Sequence, residues 1–466
     1  MGWLFGRNNA NDLGCVQQMT TKISITVNPN KPTKHECAGI TVRTSTGLSS
    51  QLHIDLKSLQ KGLPTPCPEA QDFLLLGAVV YTADKLVLRK KAADLWARDI
   101  SVTLPVNSPE KWMGLASDIN NCIAFLTGDN WTFSFKQRRR RLRVPRELKL
   151  KRKTESIKAD AATLFSGGLD SLTGAIDWLE SNDGRLVLVG HHDTRVAGPL
   201  SDQKRLLKSL TARYEGRISS KLIAVGQDPP GKEKTFRSRS ALFLGLGLFV
   251  VNALDKDLEL LVPENGTIAV NCPLTASRRG SCSTRTAHPR FLREMDEIAN
   301  KLGLKGTIRN PLLEKTKGEV IECCKNLDFL KAVALESVSC SKRGHRMWWK
   351  NRKARQCGSC MPCIYRRAAL HKVDLDNELY GDNICRGWTK LKDPKAEAPN
   401  DFRACLSFIR RNPSEDEIAR MLAANGEHNV SSVRGHAATV HRAMAEIAEW
   451  LKAKATKEIR KRAGLD

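Results

Sequence analysis

The chain has 466 residues and a mass of 51.8 kDa, enough for two to four domains at roughly 100–200 residues each. Apolar residues at 41% and charged residues at 27% are ordinary globular usage and exclude wholesale disorder. The net charge of +26 implies an anionic substrate, cofactor or partner, or else basic solvated faces. The longest apolar run, Ala241 to Val251, is about half of the roughly 20 residues a spanning helix needs, so it predicts a buried core helix. The start, Met1-Gly2-Trp3-Leu4-Phe5-Gly6-Arg7, lacks a secretory apolar region. Gly6 stands where a myristoylation signal has Ser or Thr. A cytoplasmic protein is expected.

In chain order, Lys22 to Val27, Thr41 to Arg43 and Leu52 to Leu56 alternate with the period of half-buried strands. Leu74 to Thr82 is an apolar run that fits a buried strand or a short helix. Glu110 to Leu126 predicts a helix, and Trp131 to Phe135 an aromatic strand. Residues 1–155 are therefore expected to form an α+β accessory domain. It ends in Lys136 to Lys153, a run with eleven basic residues and one acid, Glu147. That run reads either as a solvated strand and linker or as a phosphate-backbone contact surface. No interleaved aromatics offer bases a stacking platform.

From Ala161 the pattern becomes β/α. Strands at 161–165, 186–189, 221–225 and 258–263 alternate with a helix carrying Leu172, Ala175, Ile176 and Leu179 on one face and with helices at about 201–214 and 238–254. Such alternation predicts a doubly wound parallel sheet, here over residues 156–395. Residues 396–466 predict a helical extension whose last helix carries Val440, Met444, Ile447 and Leu451 along one stripe.

Ser166-Gly167-Gly168-Leu169-Asp170-Ser171 lies between the first of these strands and its helix. Its glycines permit a tight turn, and the helix start offers N–H donors and a positive dipole end to a phosphate. Ser166 and Ser171 add hydroxyls, and Asp170 would orient a magnesium ion or a phosphate-bound water. The plainer alternative is an ordinary strand–helix turn. No Gly-Lys-Ser/Thr follows, so this is not a Walker A loop. The motif resembles the pyrophosphate loop of the N-type ATP pyrophosphatase (PP-loop) superfamily, which implies cleavage of ATP between its α- and β-phosphates and adenylation of a carbonyl oxygen.

Of fourteen cysteines, Cys340, Cys357, Cys360 and Cys363 are clustered, the last three as C-x2-C-x2-C. Four thiolates suit a closed structural zinc site. An iron–sulfur cluster and persulfide chemistry are the rivals, and His345 is a substitute fourth ligand. Between them, Arg343 to Gln356 is a basic segment with Trp348 and Trp349, suited to closing over an anion.

The loop and the cysteines together resemble the QueC family, the 7-cyano-7-deazaguanine synthases, over roughly Ala161 to Leu370. The resemblance implies ATP, Mg²⁺ and zinc as cofactors, with the four cysteines as zinc ligands. It implies that Arg239, in Phe236-Arg237-Ser238-Arg239-Ser240, stands near substrate or phosphates. Asn310-Pro311-Leu312 and Lys315-Thr316-Lys317 match a further family stretch, which makes Lys315, Lys317 and Arg239 the catalytic candidates beside Asp170. Arg366 and Arg367 match the arginines after the last cysteine and would add positive charge near the loop.

The chain departs from the ordinary synthases in its long Cys340–Cys357 gap, in Ser240 where they carry Asn, and in Ser281 to Pro289. Its length resembles the QatC-type components of anti-phage defence systems. The domains beyond the family core motivate a protein partner bound through the N-terminal domain or the tail, and ammonia or a protein amine is the expected acceptor. Two other classes stay open. One is an RNA-modifying PP-loop enzyme that carries sulfur on Cys272 or Cys282, and the other is a nucleotide-binding scaffold without catalysis.

Overall fold

The computed structural model describes residues 20–28, 39–139, 142, 156–196, 198–275, 285–386, 391–393, 396–397 and 399–466. Most of the basic run, from 143 on, and Cys282 lie outside them.

The first strands are β1 (Thr21–Asn28), β2 (Gly39–Thr44) and β3 (Ser49–Ile54). Short α1 (Leu56–Gln60) and long α2 (Pro68–Leu86) follow, then β4 (Asp99–Val106), α3 (Pro109–Met113), α4 (Ala116–Thr127) and β5 (Asn130–Gln137). The apolar run at 74–82 is thus the middle of a helix. The expected helix at 110–126 is two, broken at Gly114. In β1 to β5 alternate residues face one core, as the sequence period requires.

The β/α part follows as β6 (Ala161–Leu164), α5 (Leu169–Ser181), β7 (Leu186–His192), α6 (Pro199–Arg213), β8 (Ile218–Asp228), α7 (Arg239–Leu254), β9 (Glu259–Leu261) and α8 (Gly266–Val270). Then come α9 (Pro289–Lys301), β10 (Thr307–Arg309), α10 (Lys317–Glu322), α11 (Leu327–Val333) and α12 (Met361–His371). The C-terminal helices are α13 (Asn400–Arg411), α14 (Glu415–Ala424), α15 (Val430–Lys454) and α16 (Lys457–Ala463).

All ten strands form one sheet, ordered β10-β9-β6-β7-β8-β3-β2-β1-β4-β5. β10, β9, β6, β7 and β8 run parallel. β8 is the seam: Ile218 to Ala224 pair with β7, and Val225 to Asp228 pair antiparallel with β3. The boundary expected near residue 155 therefore falls between strands of one continuous sheet.

Both faces are covered around β6 and β7. Ala162, Leu164, Val187 and Val189 join the core under α2 and α7, while Ala161, Phe165, Leu186 and Leu188 join the core with α5, α6 and α11. Two-sided burial is why these strands read as unbroken apolar runs. α2 and α7 touch backbone to backbone. A Cβ on Gly77 would lie 2.4 Å from the Ala241 carbonyl oxygen, and one on Gly245 3.0 Å from Leu74 Cα. The C-terminal helices form a further core with α12, in which Val440, Met444, Ile447, Trp450 and Leu451 are buried.

Candidate active site and cysteine cluster

β6 has β7 on one side and β9 on the other, so the chain changes direction at β6 and leaves a crevice beyond the strand ends, where open α/β sheets bind ligands. Two loops enter it: Ser166 to Ser171 after β6, and Val262 to Asn265 after β9. In the first, Gly167 has φ +84°, a conformation that suits glycine. Ser166 Oγ accepts from Gly168 N (3.2 Å) and lies 3.3 Å from Ser171 Oγ; Ser171 Oγ donates to the Gly168 carbonyl (3.0 Å). Leu169 is buried and opens α5. The hydroxyls and the α5 N-terminus thus converge on one concave turn, a geometry that receives an anion.

Asp170 is buried behind this turn. Its Oδ1 accepts from Lys317 Nζ (2.6 Å) and its Oδ2 from Asn265 Nδ2 (2.8 Å). Glu264 lies against it. Desolvation, and then the Asp170 carboxylate, push Glu264 well above its ordinary value. Burial opposes ionisation of Asp170 as well, but Lys317 and the hydrogen bonds from Glu264, Lys317 and Asn265 outweigh it and hold Asp170 below the usual range. The two carboxyls therefore share one proton, carried by Glu264. Each oxygen of Asp170 thus takes one donor, the Lys317 ammonium on Oδ1 and the Asn265 amide on Oδ2.

The lysine beside Asp170 is Lys317, not Lys315. Lys315 is half-buried, its carbonyl accepts from Gly266 N (2.8 Å), and its charge acts on Asp177 of α5. Thr316 caps α10 in a reciprocal box with Glu319. The C-terminal helix clamps this turn. Glu446 of α15 accepts from the Thr316 hydroxyl and from Gly318 N (3.2 Å), and Arg442 Nε donates to Glu319 Oε1 (2.6 Å). Glu264 and Asn265, which sequence reading did not single out, follow a buried strand as Pro263-Glu264-Asn265-Gly266; that position after β9 was the available signal.

Arg239 opens α7, its Cζ 5.0 Å from the Phe243 ring centroid. Arg366 and Arg367 are structural. Arg366 is fully buried and grips Glu378 through Nε (2.8 Å) and a terminal nitrogen (2.9 Å), while Arg367 pairs with Asp376 at 3.3 Å. Arg138, in the basic run, is likewise buried against Asp72 (2.8 Å).

The Sγ atoms of Cys340, Cys357, Cys360 and Cys363 lie within 4.8 Å of one another, with Cys357 and Cys363 at 3.8 Å. A tetrahedral zinc with Zn–S bonds of about 2.3 Å sets its sulfurs about 3.8 Å apart, so the quartet fits that ion. An iron–sulfur cluster interposes its own atoms and spreads its cysteines farther. Cys357 Sγ accepts from Ser359 N (3.4 Å) and Cys360 N (3.2 Å), bonds that favour a thiolate. His345 is exposed on a separate short turn. The segment entering the quartet rests on the phosphate loop: Val338 N donates to the Gly167 carbonyl (2.9 Å) and Leu169 N to Ser339 Oγ (3.4 Å).

Residues 286–374 match the QueC family, described as queuosine biosynthesis protein QueC. This QueC-like segment contains Lys317, the four cysteines and α12; the phosphate loop precedes it. Comparison with characterised proteins and with solved structures gives no match. The match points to an ATP-utilising enzyme of the PP-loop type. No helix among the described residues is long and apolar enough to cross a membrane.

Proposed function

We propose that this QueC-like chain is an ATP-dependent adenylating ligase that activates a 7-deazaguanine carboxylate for attack by ammonia or another amine. The observation that carries the reading is the convergence of the phosphate loop with Asp170, Glu264 and Lys317 in the crevice between β6 and β9, on the edge of the QueC-like segment.

A carboxylate resists amines because its leaving group is poor. In the proposed reaction a carboxylate oxygen attacks the α-phosphorus of ATP. The bond to the bridging oxygen breaks, and pyrophosphate leaves with that electron pair. Ser166, Ser171 and the α5 N-terminus receive the pyrophosphate. Lys317 spends one donor on Asp170 and has two left for the charge that grows on the bridging oxygen. Asp170 is a positioning residue: it fixes Lys317 and is itself fixed by Asn265 and protonated Glu264. The amine then attacks the acyl carbon and AMP departs. With ammonia the product is an amide, and a second adenylation with loss of AMP and protons gives a nitrile. Zinc, held by Cys340, Cys357, Cys360 and Cys363, would seat Val338 and Ser339 against the loop and supply structure only.

A protein amine as acceptor, and with it a place in anti-phage defence, is what the QatC-type likeness adds. Of the two cysteines of the sulfur-carrying alternative, Cys272 is buried in the C-terminal core and Cys282 lies outside the described residues. Mass spectrometry of the protein with Mg-ATP and 7-carboxy-7-deazaguanine, with and without ammonium, tests the reading. AMP with an amide or nitrile product is expected. Unchanged acid with no AMP would reject it.

A further inference from the structure

We infer that Tyr81 and Lys85 of α2, with His191, Arg239 and Phe243, form a carboxylate-recognising subsite beside the phosphate loop, so that the N-terminal part of the chain supplies one wall of the active site. The inference rests on the deazapurine-acid reading and names the residues that would recognise that acid.

The site begins at the end of β7. Leu164 pairs with Val189, and beyond that pair Gln203 Nε2 donates to both the Phe165 carbonyl (3.0 Å) and the His191 carbonyl (3.3 Å), which ties the end of β7 to the start of the phosphate loop. The His191 ring points to the α2 and α7 face. It meets Tyr81 edge to face at 5.6 Å between centroids and Phe243 likewise at 5.5 Å. The three aromatic side chains pack edge to face as one cluster. Lys85, one turn beyond Tyr81, donates to the Tyr81 hydroxyl, and its Nζ lies 3.8 Å from that ring's centroid and 3.9 Å from Asp193 Oδ2. The hydroxyl accepts from Lys85, which frees its own proton for a ligand oxygen. Arg239 closes the other end over Phe243.

Two polar atoms here lack partners among the described residues. The Arg239 Nε–H is buried without an acceptor. His191 Nε2 lies 3.1 Å from the Val225 carbonyl and so carries the proton, which leaves Nδ1 as a buried acceptor without a donor. Orphaned buried groups are costly, and both would be satisfied by one ligand that offers a carboxylate and a ring N–H. Burial, and then the neighbouring Arg239 charge, keep His191 neutral, as that acceptor role requires. Lys85 and Arg239 outnumber Asp193, so the subsite is net cationic. Asp84 is committed elsewhere, to Arg98, Thr235 and Ser238. The Lys85 and Asp193 side chains are each 16% exposed, while Tyr81, His191 and Phe243 are buried.

The test compares wild type, Lys85→Met and Tyr81→Phe by titration with 7-carboxy-7-deazaguanine in the presence of α,β-methylene-ATP, and with Mg-ATP alone. Tyr81→Phe removes one oxygen and carries the test if Lys85→Met does not fold. The expected result is at least a tenfold loss of acid affinity in Lys85→Met and a several-fold loss in Tyr81→Phe, with nucleotide affinity within twofold of wild type. Unchanged acid affinity in both variants overturns the subsite and leaves the proposed function standing. An equal loss of acid and nucleotide binding also overturns it. A wild-type protein that binds nucleotide but not the acid rejects the substrate reading, and the subsite with it.

Discussion

At the residue scale the proposed chemistry depends on a small buried charge set: Asp170 and Glu264 with Lys317. Removing one partner of a buried pair strands the other, at a cost of about 3–5 kcal/mol. Lys317→Met should therefore lower the melting temperature by many degrees and abolish pyrophosphate release, whereas Lys315→Met should retain both the fold and most of the activity. Melting curves with a pyrophosphate assay separate the two. Glu264 gives a pH signature. Its folded value is raised above the ordinary 4.5, so the folded state holds a proton that the unfolded state has lost. Stability must then fall as pH rises from about 4.5 towards the raised value, by at most about 1.4 kcal/mol per pH unit. Glu264→Gln mimics the protonated form and should flatten that part of the melting-temperature profile; an unchanged slope would remove Glu264 as its source. Asp170 was legible in the sequence because its loop has fixed spacing. Which lysine meets it was not, because Lys315 and Lys317 lie two apart and the Thr316 cap decides which one turns inward.

At the element scale, two supports hold the site from outside it. The cysteine quartet fixes the segment that contacts Gly167 and Leu169, so metal loss should be felt at the loop. Stripping the metal with a strong thiol-competitive chelator is expected to release one zinc per chain, lower the melting temperature and weaken ATP binding. Elemental analysis with nucleotide titration checks this, and full ATP affinity in metal-free protein would contradict it. The second support is α15, through Glu446 and Arg442. Its apolar stripe at 440, 444, 447 and 451 could be read from helical period. Its role under Lys317 could not, because a contact between residues more than a hundred positions apart leaves no local pattern. Likewise Leu74 to Thr82 left strand and helix undecided: this part of α2 is buried all round and its residues form an unbroken apolar run, so periodicity carried no signal.

At the scale of the whole molecule, the feature that matters is the unbroken sheet. The strand patterns of both halves were readable, one alternating and one continuous, but their joining at β8 was not, since pairing across Val225 to Asp228 is decided by tertiary contact. Beneath it lies a buried ionic group in which Arg98 reaches Asp84 and Asp129, both at 2.6 Å, while Asp84 also accepts from Thr235 and from Ser238 at the start of α7. The N-terminal half thereby sets the position of Arg239. Deleting residues 1–155 is expected to yield insoluble or molten protein, because it exposes the α7 face and leaves part of β8 unpaired. A soluble, cooperatively melting remainder that still turns over ATP would show the halves to be independent.

The central claim is that ATP is cut between its α- and β-phosphates at the Ser166–Ser171 loop. The most direct measurement follows the nucleotide products formed with Mg-ATP and 7-carboxy-7-deazaguanine, for wild type and Lys317→Met. AMP and pyrophosphate from wild type, absent in the variant, are the predicted result. ADP and inorganic phosphate from wild type would contradict it.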